Sequence, residues 1–123
     1  MKFKDKEDME LFFQLHPILM LIMVDMYSYC YENDVPFVVT DTVSTIAEDR
    51  ELGRVSSSHR SFRAADIRTN WDSLFLKDFQ NHFNQKYKKV AAVSSDGVPN
   101  LFVVHDSGHG THGHIQIHSR YSL

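Results

Sequence analysis

One segment limits the possible folds more than any other: "PILMLIMVDMYSYCY", residues 17–31. Because proline is tolerated in the first turn of a helix, the segment predicts a helix from about Pro17 to Tyr31. Its apolar residues lie all round the helix, and such a helix is typical of a deeply buried position. The continuous apolar run, Ile18 to Val24, is too short to cross a bilayer. We therefore predict a core helix and no membrane insertion.

The size and charge of the chain restrict its class. The 123 residues, 42% of them apolar, suffice for a single domain spanning residues 1–123 with one core. The net charge is −3 and no long basic run occurs, which argues against a nucleic-acid partner. Acidic residues (Asp5, Glu7 and Asp8) stand where a secretory signal would have basic ones, so we expect no signal peptide. The single cysteine, Cys30, predicts a buried, inert thiol, and any metal site must use His, Asp or Glu.

A second helix carries an aromatic stripe. Large rings recur every four residues: Trp71, Phe75, Phe79, Phe83 and Tyr87. This spacing predicts a helix that runs through about Lys86, with the stripe in the core and Asn70 as its N-cap. A shorter helix is predicted over residues 7–15.

The remaining segments indicate strands. "FVVT" (37–40) and "AADIR" (64–68) are short and apolar, and "KKVAAV" and "LFVVHD" suggest a hairpin with "DG" in its turn. "HIQIHS" alternates strictly, so Ile115 and Ile117 should face the core while His114, Gln116 and His118 face the other way. The predicted fold class is α+β, a small and mainly antiparallel sheet with helices packed on one side.

Histidines are concentrated near the C-terminus. Five of the eight fall within "HDSGHGTHGHIQIH", residues 105–118. Another, His59, stands seven residues before Asp66 in "SSSHRSFRAAD". A chain that turns back after His59 could bring these two together with a ligand from the histidine-rich strand. Three ligands and one position left open for water make the arrangement that catalytic Zn²⁺ requires. Taken singly, the two patterns are also compatible with a surface histidine, a capping Asp and a solvated loop.

Together they resemble the zinc peptidases of the lysostaphin, D-Ala-D-Ala carboxypeptidase and sonic hedgehog group. The first motif of that group is His-x-x-Gly-x-Ala-x-Asp, and "HRSFRAAD" has His59, Ala64 and Asp66 in place. The second motif ends in a ligand histidine on a strand. The murein endopeptidase branch has His-x-x-His-x-His there, and "HGTHGH" matches this spacing. Residues 15–45 are similar to the long helix and strand that precede the first motif, so the resemblance spans roughly residues 15–118.

The resemblance implies a hedgehog/DD-peptidase-like fold and a role for each matched residue. It makes His59, Asp66 and His114 the zinc ligands. It gives His109 and His112 catalytic roles as proton acceptor or oxyanion stabiliser, and which of them is the base stays open. Asp106 is a candidate to hold a ligand ring or a turn residue. We expect His105 and His118 to be structural or exposed, and His16 and His82 to be incidental.

The sequence departs from the group at three points. Phe62 replaces the glycine of the first motif, and Thr111 stands where the dipeptidase branch has an acidic residue. "TDTVST" lacks the arginine that many relatives use to bind substrate. The candidates to replace that arginine are Arg50, Arg54, Arg60 and Arg63, any of which can instead be an ordinary surface cation.

By resemblance, the leading hypothesis is a zinc-dependent hydrolase of peptide bonds in bacterial peptidoglycan, an endopeptidase or a carboxypeptidase. The expected absence of a signal peptide suits a bacteriophage enzyme, made in the cytoplasm and reaching the wall after release or as part of a virion. The alternatives are a non-catalytic zinc-containing structural or binding module of the same fold, and a virion component with hydrolysis secondary. A serine or cysteine nucleophile fits poorly, because the Ser56–Ser58 cluster lacks a nucleophile elbow and Cys30 lies on a core helix.

Overall fold

A computed structural model describes residues 1–43, 51, 61–106 and 111–121. Within these residues the chain is α+β, as predicted. The helices are α1 (Lys6–Leu11), α2 (Pro17–Glu32) and α3 (Ser73–Lys86). The strands are β1 (Lys2–Phe3), β2 (Val38–Asp41), β3 (Ala64–Arg68), β4 (Phe102–Asp106) and β5 (Thr111–Gln116). Short 3₁₀ turns occupy Phe12–Gln14 and Ser119–Tyr121, so the helix predicted over residues 7–15 is α1 followed by a 3₁₀ turn.

The strands form one sheet in the order β1-β2-β3-β5-β4. Only the β1–β2 pair is parallel among the described strands, and the three other pairs are antiparallel, as the sequence predicted. β5 lies between β3 and β4 and pairs along its length with both. Because side chains alternate between the two sides of a strand, this register decides which residues of the three strands share a face.

The core lies on one side of the sheet. The residues Ala65 and Ile67 of β3 and Ile115 of β5 are fully buried there against side chains of α2 and α3. The predicted inward direction of Ile115 and Ile117 is therefore confirmed. The alternate residues of β3 and β5, Asp66 and His114 among them, fall on the opposite side, which we call the histidine face. This face contains Asp66, His105, His112, His114 and Gln116.

Helix α2 begins at Pro17, as predicted, and His16 caps it by accepting a hydrogen bond from the Ile18 backbone N–H. The expected deep burial on all sides is wrong. Leu21, Val24 and Tyr31 are 69%, 50% and 72% exposed. The reason is that a helix on the outside of a sheet is covered on the side facing that sheet, whatever its composition.

The opposite side of α2 is buried in the core. Leu19, Met23, Met26 and Cys30 are fully buried. Burial raises the pKa of the Cys30 thiol to about 12, which keeps it protonated and unreactive, as the sequence predicted. Among the helices in the described ranges, none is both long and apolar enough to cross a lipid bilayer.

Helix α3 has a different cap from the predicted one. Asp72, and not Asn70, is the N-cap, because its carboxylate lies 3.4 Å from the Phe75 backbone N–H and accepts a hydrogen bond from it. Trp71 therefore precedes the helix, and its ring still packs edge-on against Phe79 at 4.9 Å. Phe79 and Phe83 are fully buried, which confirms the stripe as core.

The predicted hairpin between "KKVAAV" and "LFVVHD" is confirmed at its turn, where the Ser94 N–H donates to the Val98 carbonyl oxygen at 3.0 Å and the Asn100 N–H to the Ala92 carbonyl oxygen at 2.9 Å, but it does not extend into a paired ladder of the two segments. The first segment forms only isolated bridges, Ala91 to Ile117 and Val93 to Pro99, around a turn in which Gly97 has φ +82°. Its backbone instead continues the far end of β5, where the Ala92 N–H donates to the Gln116 carbonyl oxygen at 3.0 Å. β4 follows on the same edge of β5 and pairs with it. Both segments thus share β5 as their partner.

Candidate metal centre

Asp66 and His114 face each other across adjacent strands. Their Cα positions are directly opposite in the β3–β5 register. The His114 Nδ1 atom lies 2.8 Å from the Asp66 Oδ1 atom. The side chain of Asp66 is 8% exposed and that of His114 is 21% exposed. The carboxylate is therefore largely shielded from solvent, and the imidazole is partly open to it. The structure therefore brings together two of the three residues that the sequence suggested as zinc ligands.

The second ring nitrogen of His114 is held from its own strand. Its Nε2 atom lies 2.8 Å from the Gln116 Oε1 atom. The Asp66 carboxylate and the Gln116 side-chain oxygen are both acceptors, so each ring nitrogen of His114 faces an acceptor, and the tautomer of the ring decides which nitrogen donates.

His112 stands beside this pair. Its Nε2 atom lies 3.9 Å from Asp66 Oδ2, too far for a hydrogen bond. The His112 side chain is 18% exposed. His112 is two residues before His114 on β5, so both imidazoles project from the histidine face. The position allows His112 to approach a group held at the Asp66–His114 pair without being part of that pair.

His105 is exposed, as expected, and its ring also joins the cluster, which the sequence did not predict. It lies opposite His112 in the β4–β5 register, with the ring centroids 4.3 Å apart, and 6.0 Å from the His114 ring. Desolvation, with the neighbouring His112 and His114, lowers the pKa of His105, while Asp66 acts in the opposite direction. The signal that could have found it is the symmetry of the β4–β5 hairpin, since positions 105 and 112 are equally distant from the connection at 107–110.

The distance between the two described donors can be compared with that expected for two ligands of a small divalent ion. Two ligands of a tetrahedral Zn²⁺, each at about 2.0 Å, are about 3.3 Å apart. The observed separation of 2.8 Å between His114 Nδ1 and Asp66 Oδ1 is that of a hydrogen bond. Within residues 1–43, 51, 61–106 and 111–121, no three His, Cys, Asp or Glu side chains are arranged as a complete metal site. The suggested third ligand, His59, and the suggested catalytic His109 lie outside the described residues.

The backbone at Phe62 bears on the resemblance. Phe62 stands where the first motif has glycine, and it has φ +63°, in the left-handed region that favours glycine. The side chain departs from the motif, and the backbone keeps the conformation that glycine would adopt most easily.

Of the arginines that the sequence suggested for substrate binding, the structure describes one. Arg63 is buried, and its Nη1 donates to the Ile117 carbonyl oxygen at 3.4 Å. Of the other candidates from the sequence, Arg50, Arg54 and Arg60 lie outside the described residues. Arg68 was not considered, yet it is exposed and its Cα lies opposite His112 at the end of β3. A cation is therefore available next to the histidine face.

Asp106 and Thr111, which the sequence analysis also singled out, lie at the adjoining ends of β4 and β5. Asp106 is the last residue of β4 and lies opposite Thr111, the first residue of β5. Both residues are exposed.

Comparison with known proteins gives no further guide to this site. No protein-family model, no curated protein and no solved structure matches the chain.

Proposed function

We propose that the chain is a zinc-dependent peptidase that hydrolyses peptide bonds of bacterial peptidoglycan. The observation that carries the proposal is the 2.8 Å approach of Asp66 Oδ1 to His114 Nδ1 on the face of the sheet away from the core. The His59-x₆-Asp66 and His109-x₂-His112-x-His114 spacings, together with the left-handed backbone at Phe62, support the same assignment. The third ligand in this proposal is His59.

The proposed chemistry divides among the residues of the histidine face. Zn²⁺ held here would polarise the scissile carbonyl and lower the pKa of a water molecule to roughly 7. Asp66 and His114 hold the ion, and the carboxylate offsets part of its charge. His112 or His109 accepts a proton or stabilises the oxyanion, roles that suit an imidazole near neutral pH. Exposed Arg68 is placed to bind a carbonyl or carboxylate of the substrate, the role for which "TDTVST" lacks an arginine.

The substrate class and the biological setting rest on the resemblance. The group's substrates are peptidoglycan cross-links and stem peptides, which often contain D-amino acids. We propose a bacteriophage protein that acts on the wall either after release from the cell or as part of a virion.

Digestion of purified peptidoglycan tests this function. The metal-free protein is reloaded with one equivalent of Zn²⁺ and incubated with murein sacculi, and new amino and carboxyl ends are identified by mass spectrometry of the soluble peptides. We expect cleavage that stops with EDTA and returns with Zn²⁺, and no cleavage by His114→Ala. His82→Ala is the matched control, because His82 is exposed on α3 and contacts Tyr29 rather than the histidine face. Cleavage that persists in His114→Ala contradicts the proposal.

A second function has one observation in its favour. Arg63 is buried against the Ile117 carbonyl oxygen and is therefore not available to bind substrate. This favours, as the alternative, a non-catalytic zinc-containing structural or binding module of the same fold. One equivalent of bound Zn²⁺ without release of any murein peptide is the result that selects it.

A further inference from the structure

His105 of β4 and His112 of β5 form a pair of imidazoles that the proposed zinc centre does not use as ligands. Their Cα positions are directly opposite in the β4–β5 register, so both side chains project from the histidine face. The two ring centroids are 4.3 Å apart, and the ring planes are inclined by 61°. His105 is exposed, so water has access to the pair.

The separation of the two rings can be compared with that of two imidazoles bound to one ion. With metal–nitrogen bonds of about 2.0 Å, the ring centres are roughly 4.5 Å apart when the two bonds are at right angles, and roughly 5.2 Å apart at the tetrahedral angle. The observed 4.3 Å is closer to the right-angle arrangement. Cu²⁺ and Ni²⁺ bind imidazole and prefer this square-planar or tetragonal geometry, whereas Zn²⁺ prefers a tetrahedron.

The charges around the pair are compatible with a divalent cation. The Asp66 Oδ2 atom lies 3.9 Å from His112 Nε2, so a carboxylate stands beside the pair and would offset part of the charge of an ion there. Arg68, whose Cα lies opposite His112 on β3, is exposed, and solvent screens its charge. Because both histidines belong to paired strands, the sheet sets the positions of the two ligands before an ion binds.

We propose that His105 and His112 form a second metal site, separate from the Asp66–His114 pair, which binds one Cu²⁺ or Ni²⁺ ion through the two imidazoles, with water at the remaining positions. The inference goes beyond the proposed function and does not depend on it, because neither histidine is a ligand of the proposed zinc centre. The two sites differ in ligand set and in the geometry that each offers to an ion.

The test uses matched variants made in His114→Ala, so that the proposed zinc centre does not compete for Cu²⁺. His105→Phe removes the nitrogen donors of one ring and keeps an aromatic side chain beside His112. His82→Phe makes the same change at an exposed position on α3, where His82 contacts Tyr29, and serves as the control.

The first measurement is the number of imidazoles bound to Cu²⁺, by pulsed electron paramagnetic resonance, together with the Cu²⁺ dissociation constant, by competition with a chelator. We expect two bound imidazoles in His114→Ala and in its His82→Phe derivative. We expect at least about 10-fold weaker binding in the His105→Phe derivative, because the second imidazole no longer adds an intramolecular ligand. A single bound imidazole in His114→Ala, or equal affinity with and without His105→Phe, overturns the inference. Weaker binding in the His82→Phe derivative overturns it as well.

The second measurement needs no change at His105 or His112. Paramagnetic Cu²⁺ broadens the NMR signals of nearby nuclei, so it is added in substoichiometric amounts to His114→Ala. We expect the amide signals of residues 103–105 and 111–113 to disappear first, and earlier loss of signals from α3 or the N-terminus overturns the inference. If the wild type binds no Zn²⁺, the proposed function fails, and these measurements with Cu²⁺ still decide whether the pair is a metal site.

Discussion

Asp66 of β3 and His114 of β5 are cross-strand partners, and their facing atoms are 2.8 Å apart. Each is held by a central strand with ladder partners on both sides, because β3 lies between β2 and β5, and β5 lies between β3 and β4. A pair placed on such strands is positioned by the sheet itself, without the conformational entropy of ordering a loop when an ion binds.

His112 should affect turnover and leave metal binding intact. Its Nε2 is 3.9 Å from Asp66 Oδ2, beside the pair rather than within it. We expect His112→Ala to retain one equivalent of Zn²⁺ and to lower kcat by about 10²- to 10⁴-fold, the usual contribution of general acid–base catalysis. Metal content by atomic absorption and kcat on a soluble stem peptide are measured on the same preparation. Loss of the Zn²⁺ together with activity would show instead that His112 is a ligand.

Gly113 lets Phe102 pack beneath the two histidines of β5. A Cβ at Gly113 would lie 2.3 Å from Cε2 of the Phe102 ring and 2.9 Å from Cγ2 of Thr69. Phe102 is fully buried, so its ring can shift only by displacing neighbouring core side chains. We therefore expect Gly113→Ala to lower the free energy of unfolding by about 1–3 kcal/mol, the usual cost of overpacking a core.

Urea denaturation measures this loss, and Gly97→Ala separates the clash from backbone strain. Gly97 has φ +82°, and a Cβ added there would meet nothing within 4 Å, so alanine suffers only the strain. We expect that strain to cost about 1 kcal/mol. A Gly113→Ala protein as stable as the wild type would mean that Phe102 does not pack against this strand.

The left-handed backbone at Phe62 predicts a difference in stability between Phe62→Gly and Phe62→Ala, two variants that both lose the aromatic ring. Phe62 has φ +63°, which costs alanine about 1 kcal/mol and glycine almost nothing. We expect Phe62→Gly to be more stable than Phe62→Ala by about 1 kcal/mol, the reverse of the order at an ordinary position. The comparison uses the denaturation midpoints of the two proteins. Greater stability of the alanine variant would exclude the left-handed conformation, and with it the glycine-like geometry of the first motif.

Asp8 should make the fold less stable as the pH rises. Burial raises the pKa of its carboxyl, and nearby Asp41 and Asp5 act in the same direction, although Thr42 opposes the shift by donating its N–H and hydroxyl to Oδ1. The folded protein therefore retains this proton at a pH where the unfolded chain has lost it. Stability is lost as the pH rises from about 3.8 through the folded pKa.

Asn at position 8 keeps the Oδ1 acceptor for Thr42 and removes the buried charge. We expect Asp8→Asn to melt at a higher temperature than the wild type at pH 7, and the difference to shrink as the pH falls toward 4. Asp78→Asn, which removes an exposed carboxylate on α3, controls for net charge. A lower melting temperature for Asp8→Asn at pH 7 contradicts the assignment.

Local sequence patterns predicted the positions of the helices and strands better than the way in which these elements pair. The strand at 64–68 and the start of α2 at Pro17 were placed correctly, because apolar runs and proline act within a few residues. The inward direction of Ile115 follows from strict alternation and was also correct. Asp66 and His114 were suggested as neighbours from motif spacing, and the strand register supplies the geometric reason that no local pattern contains.

The errors came from relationships between distant segments. The exposed side of α2, with Leu21 at 69%, depends on which elements cover the helix and not on its own residues. The contact of His105 with His112 depends on the pairing of β4 with β5, which the sequence did not predict. Gln116 was placed on the correct face by alternation, but its 2.8 Å contact with His114 Nε2 follows from side-chain geometry that no sequence pattern contains.

The central claim is that Asp66 and His114 hold the same metal ion, and titration of the metal-free protein with Zn²⁺ tests it most directly. We expect one Zn²⁺ per chain for the wild type, and affinity at least about 100-fold lower for both Asp66→Asn and His114→Ala, with folding verified by circular dichroism. Wild-type affinity in either variant, or a wild-type protein that binds no Zn²⁺, would contradict the claim.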